Sequence, residues 1–265
     1  MDSIELFSAD CPEAAPYFRL TEAQLRNRLE PEKGIFIAET PKVINTALDA
    51  GLEPVSFLCT KNKADSAARQ VIGRCPGVPV YTAEADILES IAGFRLTRGV
   101  LCAMKRPHPK SFAEVCGSSL VAVLENITDS VNVGAIFRSA AALGVGGVVL
   151  FPSCSDPLNR RTVRVSMGTV FQVPWAYLPE NDISPLKAAG FTLMAMALCD
   201  DSLSLRESSL LSYPKKAVVF GTEGDGLTHD TIKGCDLRVR IPMKNGVESL
   251  NVAAAAAVTF YALTQ

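Results

Sequence analysis

The sequence predicts a two-domain α/β protein whose second half carries a mostly parallel sheet covered by helices on both faces. Three observations predict it. The chain has 265 residues, a length that as a prior favours two domains. Hydrophobic residues make up 48% of it and aromatic residues only 7%, which fits layered α/β packing better than a barrel of short strands. Beyond about residue 118, short and nearly continuous apolar runs alternate with helical patterns, as strands buried on both faces do.

In the first half, "TEAQLRNRLE" reads as a helix opened by a threonine cap. "GIFIAET" reads as a strand, and "TPKVINTALDAG" as a helix with proline at its start and glycine at its end. "VSFLCT" and "VPVYTA" read as further strands. "MKRPHPKSF", from Met104 to Phe112, sets two prolines among basic residues, the signature of a linker. These signals bound a first domain at 1–105, a linker at 106–117 and a second domain at 118–265.

In the second half, "SLVAVLEN" reads as a strand, "NVGAIFRSAAALG" as a helix and "GGVVLFP" as a strand. A polar segment, "LNRRTVRVSMG", follows. "FTLMAMAL", "KKAVVFG" and "LRVRIPM" read as strands separated by helical or loop material. The last helix begins near Ser249 and runs through five alanines. It is apolar on nearly every side, so burial between two layers is expected, with a second subunit as one candidate neighbour.

The formal net charge is −2 and both halves are close to neutral, so neither is a basic module. A nucleic-acid partner would have to be held by a local patch. Eight cysteines stand singly with no C-x-x-C, and the chain has only His108 and His229, so a Cys/His zinc site is not expected. Isolated reduced thiols are. "MDSIELFSAD" is acidic and lacks an apolar signal region, and no apolar run reaches the roughly 18 residues of a membrane span. The expectation is a cytoplasmic protein with no metal and no membrane contact.

Three segments carry polar groups at strand ends. In "LENITDSVNVGAIFRSAAALGV" a helix starts near Ser130 to Asn132, where side-chain oxygens can cap free N–H groups. Val133, Ile136, Phe137, Ala140 and Leu143 form its expected buried face, and Arg138 lies elsewhere among small residues. In "KKAVVFGTEGDGLT" a strand runs into a loop where Gly221, Gly224 and Gly226 permit positive φ and close contact with a ligand. The order G-x-x-G-x-G is neither a dinucleotide fingerprint nor a P-loop, which argues against a nicotinamide-dependent dehydrogenase. Glu223 sits at a strand's carboxyl end, where open α/β sheets bind ligands. In "IPMKNGVESLNVAAAAAV" Ser249 can cap the last helix, whose first free N–H groups suit a polar ligand atom. Asn251 adds an amide that donates and accepts.

Taken together, these three segments, in their order and spacing, resemble the signature motifs of the SpoU (TrmH-like) ribose methyltransferases of the SPOUT superfamily, over residues 118–265. The first domain more loosely resembles the ribosomal L30e-like RNA-binding domain. The resemblance implies methyl transfer from S-adenosylmethionine to a ribose 2′-hydroxyl in structured RNA, ribosomal rather than transfer RNA by preference. It implies a deep trefoil knot and a homodimer formed through the knotted domain. It implies cofactor contacts from Gly221, Ile241 and Leu250, with Met243 beside them, and a catalytic arginine at Arg138. Asn132, Glu223, Ser249 and Asn251 match its remaining polar motif positions. Arg160, Arg161 and Arg164 would share one basic face if their segment is helical, a face suited to RNA phosphates.

Overall fold

A computed structural model describes residues 3–8, 11–18, 20–27, 29–92, 99–222 and 224–264. The chain forms two compact units: Met1–His108 with Leu158–Phe171, and Pro109–Pro157 with Gln172–Gln265.

The first unit is built on a mixed sheet of β1 (Ile4–Glu5), β2 (Ile35–Glu39), β3 (Pro54–Cys59), β4 (Val80–Thr82) and β5 (Val100–Lys105). Their order is β1-β4-β3-β5-β2. β3 pairs parallel with β4 and antiparallel with β5, which pairs antiparallel with β2. The expected Thr21 cap is present and opens α1 (Glu22–Arg26) with a full capping box to Gln24. This helix stops earlier than its sequence pattern, because Asn27 turns left-handed at φ 45°. α2 (Pro41–Asp49) carries the expected proline in its first turn, and the Thr40 side chain accepts from Val43 N. Ile37, Leu58, Leu88, Leu101 and Ala103 lie in the core under this sheet.

The second unit holds β6 (Leu120–Leu124), β7 (Gly147–Leu150), β8 (Trp175–Tyr177), β9 (Thr192–Met196), β10 (Leu203–Ser204), β11 (Lys216–Phe220) and β12 (Leu237–Arg240). Their order is β10-β12-β9-β11-β6-β7-β8, and every described pairing is parallel. β6, β7 and β11 are buried at every residue, which is why they read as unbroken apolar runs. Between β6 and β7 lies α3 (Ser130–Ala142).

The segment after β7 departs from the expected boundaries. It holds α4 (Arg160–Val165) and belongs to the first unit, not to a continuous second domain. Within the expected linker, Ser111 and Glu114 form a capping box on a helical turn, Phe112–Val115, that packs on β7 and β8. α5 (His229–Gly234) joins β11 to β12, and α6 (Val252–Leu263) ends the chain against α3.

α6 is buried along one side only. Val252, Ala256, Thr259, Phe260 and Leu263 face the unit, and Phe260 meets Phe220 edge-on at 5.6 Å between centroids. Ala254, Val258 and Tyr261 are exposed, the last two by 42% and 62%. In the single chain the helix therefore lacks the second covering layer expected of it. None of the helices among the described residues is long and apolar enough to cross a membrane.

Candidate active site

At the carboxyl ends of the adjacent strands β9, β11 and β12 a cavity of about 410 Å³ opens. Open parallel sheets bind ligands at that edge. Gly221, from the loop after β11, lines it, as do Ile241 and Met243 beyond β12 and Ser249 and Leu250 before α6. All four expected cofactor contacts thus meet at one space, although they come from separate stretches of chain.

Each stretch is shaped locally. An added Cβ on Gly221 would stand 2.2 Å from the Gly226 carbonyl oxygen, so the loop crosses itself where only glycine fits. Thr222 and Gly226 exchange backbone hydrogen bonds of 3.0 and 3.1 Å across this crossing. Of the three glycines expected to permit positive φ, only Gly226 uses it, at 69°. Gly221 is needed for close approach instead. Glu223 lies outside the described residues.

The helix starts differ from expectation for identifiable reasons. α6 begins at Val252, and its cap is Asn251 rather than Ser249: Asn251 Oδ1 accepts from Ala253 N at 3.0 Å and Ala254 N at 3.3 Å. Ser249 is left exposed on the cavity's rim. α3 is capped by Asp129, whose Oδ1 accepts from Val131 N at 2.8 Å. Asn132 lies inside the first turn, buried, and its Oδ1 accepts from Asn251 Nδ2 at 3.0 Å.

Arg138 is exposed on α3, its side chain makes no hydrogen bond or ion pair among the described residues, and it does not line the cavity. The expected burial of Val133, Ile136, Phe137 and Ala140 holds, whereas Leu143 at the helix end is half-buried.

Arg160 and Arg164 do share a face of α4, but that face meets protein. Arg160 Nε lies 2.5 Å from Glu39 Oε1, and Arg164 Nη1 lies 3.6 Å from Glu39 Oε2. Arg160 Nη1 also donates to the Tyr17 carbonyl at 3.0 Å. Glu39 is only 6% exposed, and a buried carboxylate needs paired charge and hydrogen bonds. Arg161 is exposed and stands outside these pairs.

Two features of the site escaped sequence reading. Met196, the last residue of β9, and Ala197 to Cys199 beyond it form part of the cavity wall. Their signal was position alone, at the carboxyl end of an apolar strand. Glu125, just past β6, is 2% exposed and accepts hydrogen bonds from Thr228 and Thr231. Among the described residues no group of three or more His, Cys, Asp or Glu could hold a metal ion.

Comparison with known proteins places this geometry. An "Uncharacterized tRNA/rRNA methyltransferase" of Mycobacterium bovis is 38% identical over 269 residues, 100% of this chain and 93% of the relative. A 23S rRNA (guanosine-2'-O-)-methyltransferase RlmB of Acinetobacter baylyi is 30% identical over 225 residues, 79% of this chain and 90% of the relative. The AdoMet-bound rRNA methyltransferase from Sinorhizobium meliloti has a similar fold, with a TM-score of 0.78 at 23% identity over 98% of this chain and 97% of that one. The profile of the SpoU rRNA Methylase family matches residues 119–261. Two of the three segments that resemble its motifs line one cavity here, the family match spans more than half of the chain, and the chain belongs to the SpoU rRNA Methylase family.

Proposed function

We propose that the protein is an S-adenosylmethionine-dependent RNA methyltransferase that methylates a ribose 2′-hydroxyl in ribosomal RNA. One observation carries this reading: Gly221, Ile241 and Leu250 line a single cavity at the carboxyl edge of a parallel sheet. Its volume lies within the range of small-molecule sites, about 300–1,000 Å³. Phe220, Ile232 and Val239 are among its apolar lining residues, and Thr222, Asp225 and Ser249 among its polar ones.

Gly221, Ile241, Leu250 and Met243 would hold the cofactor. Bound there, S-adenosylmethionine supplies a methyl group already activated by its sulfonium. The protein's task is then alignment, which is worth up to about 7–11 kcal/mol. Ser249 lines the cavity, and Asn132 fixes the amide of Asn251 two residues further on. The Arg138 guanidinium is a fork of N–H donors with no acceptor site for a proton. It therefore stabilises the developing alkoxide and grips a neighbouring phosphate rather than removing the proton.

Arg138 stands away from its own chain's cavity lining, so we assign it to the site of a partner copy in a homodimer. The exposed Ala254, Val258 and Tyr261 stripe of α6 supports that assembly. The expected trefoil knot belongs to the same reading. Its support is the path after β12, where 241–250 runs along the cavity beside loop 221–227 before α6 packs on α3. We read the first unit as the L30e-like RNA-binding module. Arg161 is its candidate for phosphate contact. A ribosomal substrate puts the enzyme in the cytoplasm.

Calorimetric titration with S-adenosylmethionine, followed by mapping of 2′-O-methyl sites in total RNA from cells with and without the gene, tests this reading. Binding and loss of one ribosomal methyl site are expected. No cofactor binding would leave a non-catalytic RNA-binding protein, and a lost site in transfer RNA would redirect the substrate.

A further inference from the structure

We propose that Glu125 is a positioning residue for methyl transfer, clasping both stems of the loop 221–227 that walls the cavity. The proposal rests on the reading of that cavity as the S-adenosylmethionine site.

β6 and β11 are neighbours, with Leu124 opposite Phe220. Glu125 is the next residue past β6, and its N–H donates to the Phe220 carbonyl at 2.9 Å. That bond fixes the first stem. The carboxylate of the same residue fixes the second. Oε2 accepts from Thr228 N at 2.9 Å, and Oε1 accepts from Thr228 Oγ1 at 2.8 Å and Thr231 Oγ1 at 2.5 Å.

The loop cannot spread at its base without leaving a buried carboxylate short of donors, which is costly. Higher up, the Thr222–Gly226 bonds and the close approach of Gly221 to Gly226 pinch it. An apolar side chain would fill the end of β6 with no desolvation cost. A charged group held by three donors from one short turn is instead suited to fixing position. On the reading of the cavity given above, the loop meets the cofactor through main-chain groups, which have no rotamers to re-aim. A stem shift therefore moves every contact with the cofactor at once, which weakens its binding.

The test uses the full-length chain with Glu125→Gln and Thr231→Val, S-adenosylmethionine titration and steady-state methylation. Each variant is expected to weaken cofactor binding and raise its KM at least about tenfold, with kcat at saturating cofactor within about twofold of wild type. Thr231→Ser keeps the hydroxyl and is expected to restore wild-type binding. Wild-type affinity in the folded variants, or a fall in kcat at unchanged KM, overturns the proposal. Should Glu125→Gln fail to fold, the Thr231→Val and Thr231→Ser pair decides by the same criteria. A wild-type chain with no affinity for the cofactor removes the underlying reading and this proposal with it. A wild type that binds while the variants bind equally well removes the clasp alone.

Discussion

Asn251 Nδ2 donates to Asn132 Oδ1 at 3.0 Å across 119 residues of sequence, joining the starts of α6 and α3. The direction of the bond is set by chemistry. Asn251 Oδ1 is already committed to the N–H groups of Ala253 and Ala254, so its NH₂ must face Asn132. The first turns of two helices from distant motifs are thereby locked together beside the cavity mouth.

Removing this link has a readable effect. Asn251→Ala is expected to lower stability by about 1–2 kcal/mol, since a cap is lost as well. In a double-mutant cycle with Asn132→Ala, urea denaturation should show coupling of about 0.5–1.5 kcal/mol. Strict additivity would mean the two amides do not bond in solution.

Gly221→Ala forces a methyl group into the Gly226 carbonyl. Overpacking of this kind costs about 1–3 kcal/mol, and the displaced loop should lose measurable S-adenosylmethionine binding by calorimetry. A Cβ on Gly224 meets nothing within 4 Å, so Gly224→Ala should change the unfolding free energy by less than about 0.5 kcal/mol.

Arg138→Ala should separate binding from turnover. Cofactor affinity is expected to persist while kcat falls about a hundredfold or more, as when a stabilising donor is lost from a transition state. Wild-type turnover in this variant would remove Arg138 from the chemistry.

Thiol labelling reports on the cavity wall. Burial pushes the thiols of Cys59 and Cys235 up to about 12 and that of Cys154 to about 11, and raises Cys102 as well. Reaction needs the thiolate, so these should label slowly in the native protein. Cys11 and Cys199 are half-buried and should label first with N-ethylmaleimide. Cys199 lines the cavity, so saturating S-adenosylmethionine should slow its labelling and leave Cys11 unchanged, as read by peptide mass spectrometry.

The exposed stripe of α6 predicts an assembly. Wild-type protein should sediment as a dimer, and Val258→Asp with Tyr261→Glu as a monomer, because charges at a packed apolar contact are costly. A dimer in the double variant would place the interface elsewhere.

Much of this was legible in the sequence, and the limits have physical causes. Strands β6, β7, β9 and β11 announced themselves because burial on both faces demands unbroken apolar runs, and β12 was read as a strand although only Val239 in it is buried. β5 was hidden, because its end at Lys105 merges into the proline-rich stretch read as linker. β8 has only three residues, too few for a pattern. Gly221, Ile241, Met243 and Leu250 were singled out through motif resemblance, and only the fold shows that these separated residues line one cavity. The clasp by Glu125 was unreadable, because its partners lie 103 and 106 residues away. The arginines of α4 misled for the same reason: helical spacing placed Arg160 and Arg164 together, but only the fold revealed Glu39 opposite them.

That last pairing bears on how the protein is made. Glu39 is buried in the first unit, and its ionic partner Arg160 is encoded 121 residues later. Domains emerging from the ribosome generally fold as units, N-terminal first. Here the leading unit stays incomplete until the chain has passed through Pro109–Pro157 of the trailing one and come back. Its charge balance is settled late in synthesis, and a recombination event with one crossover near residue 108 would pass on a carboxylate without its matching arginine.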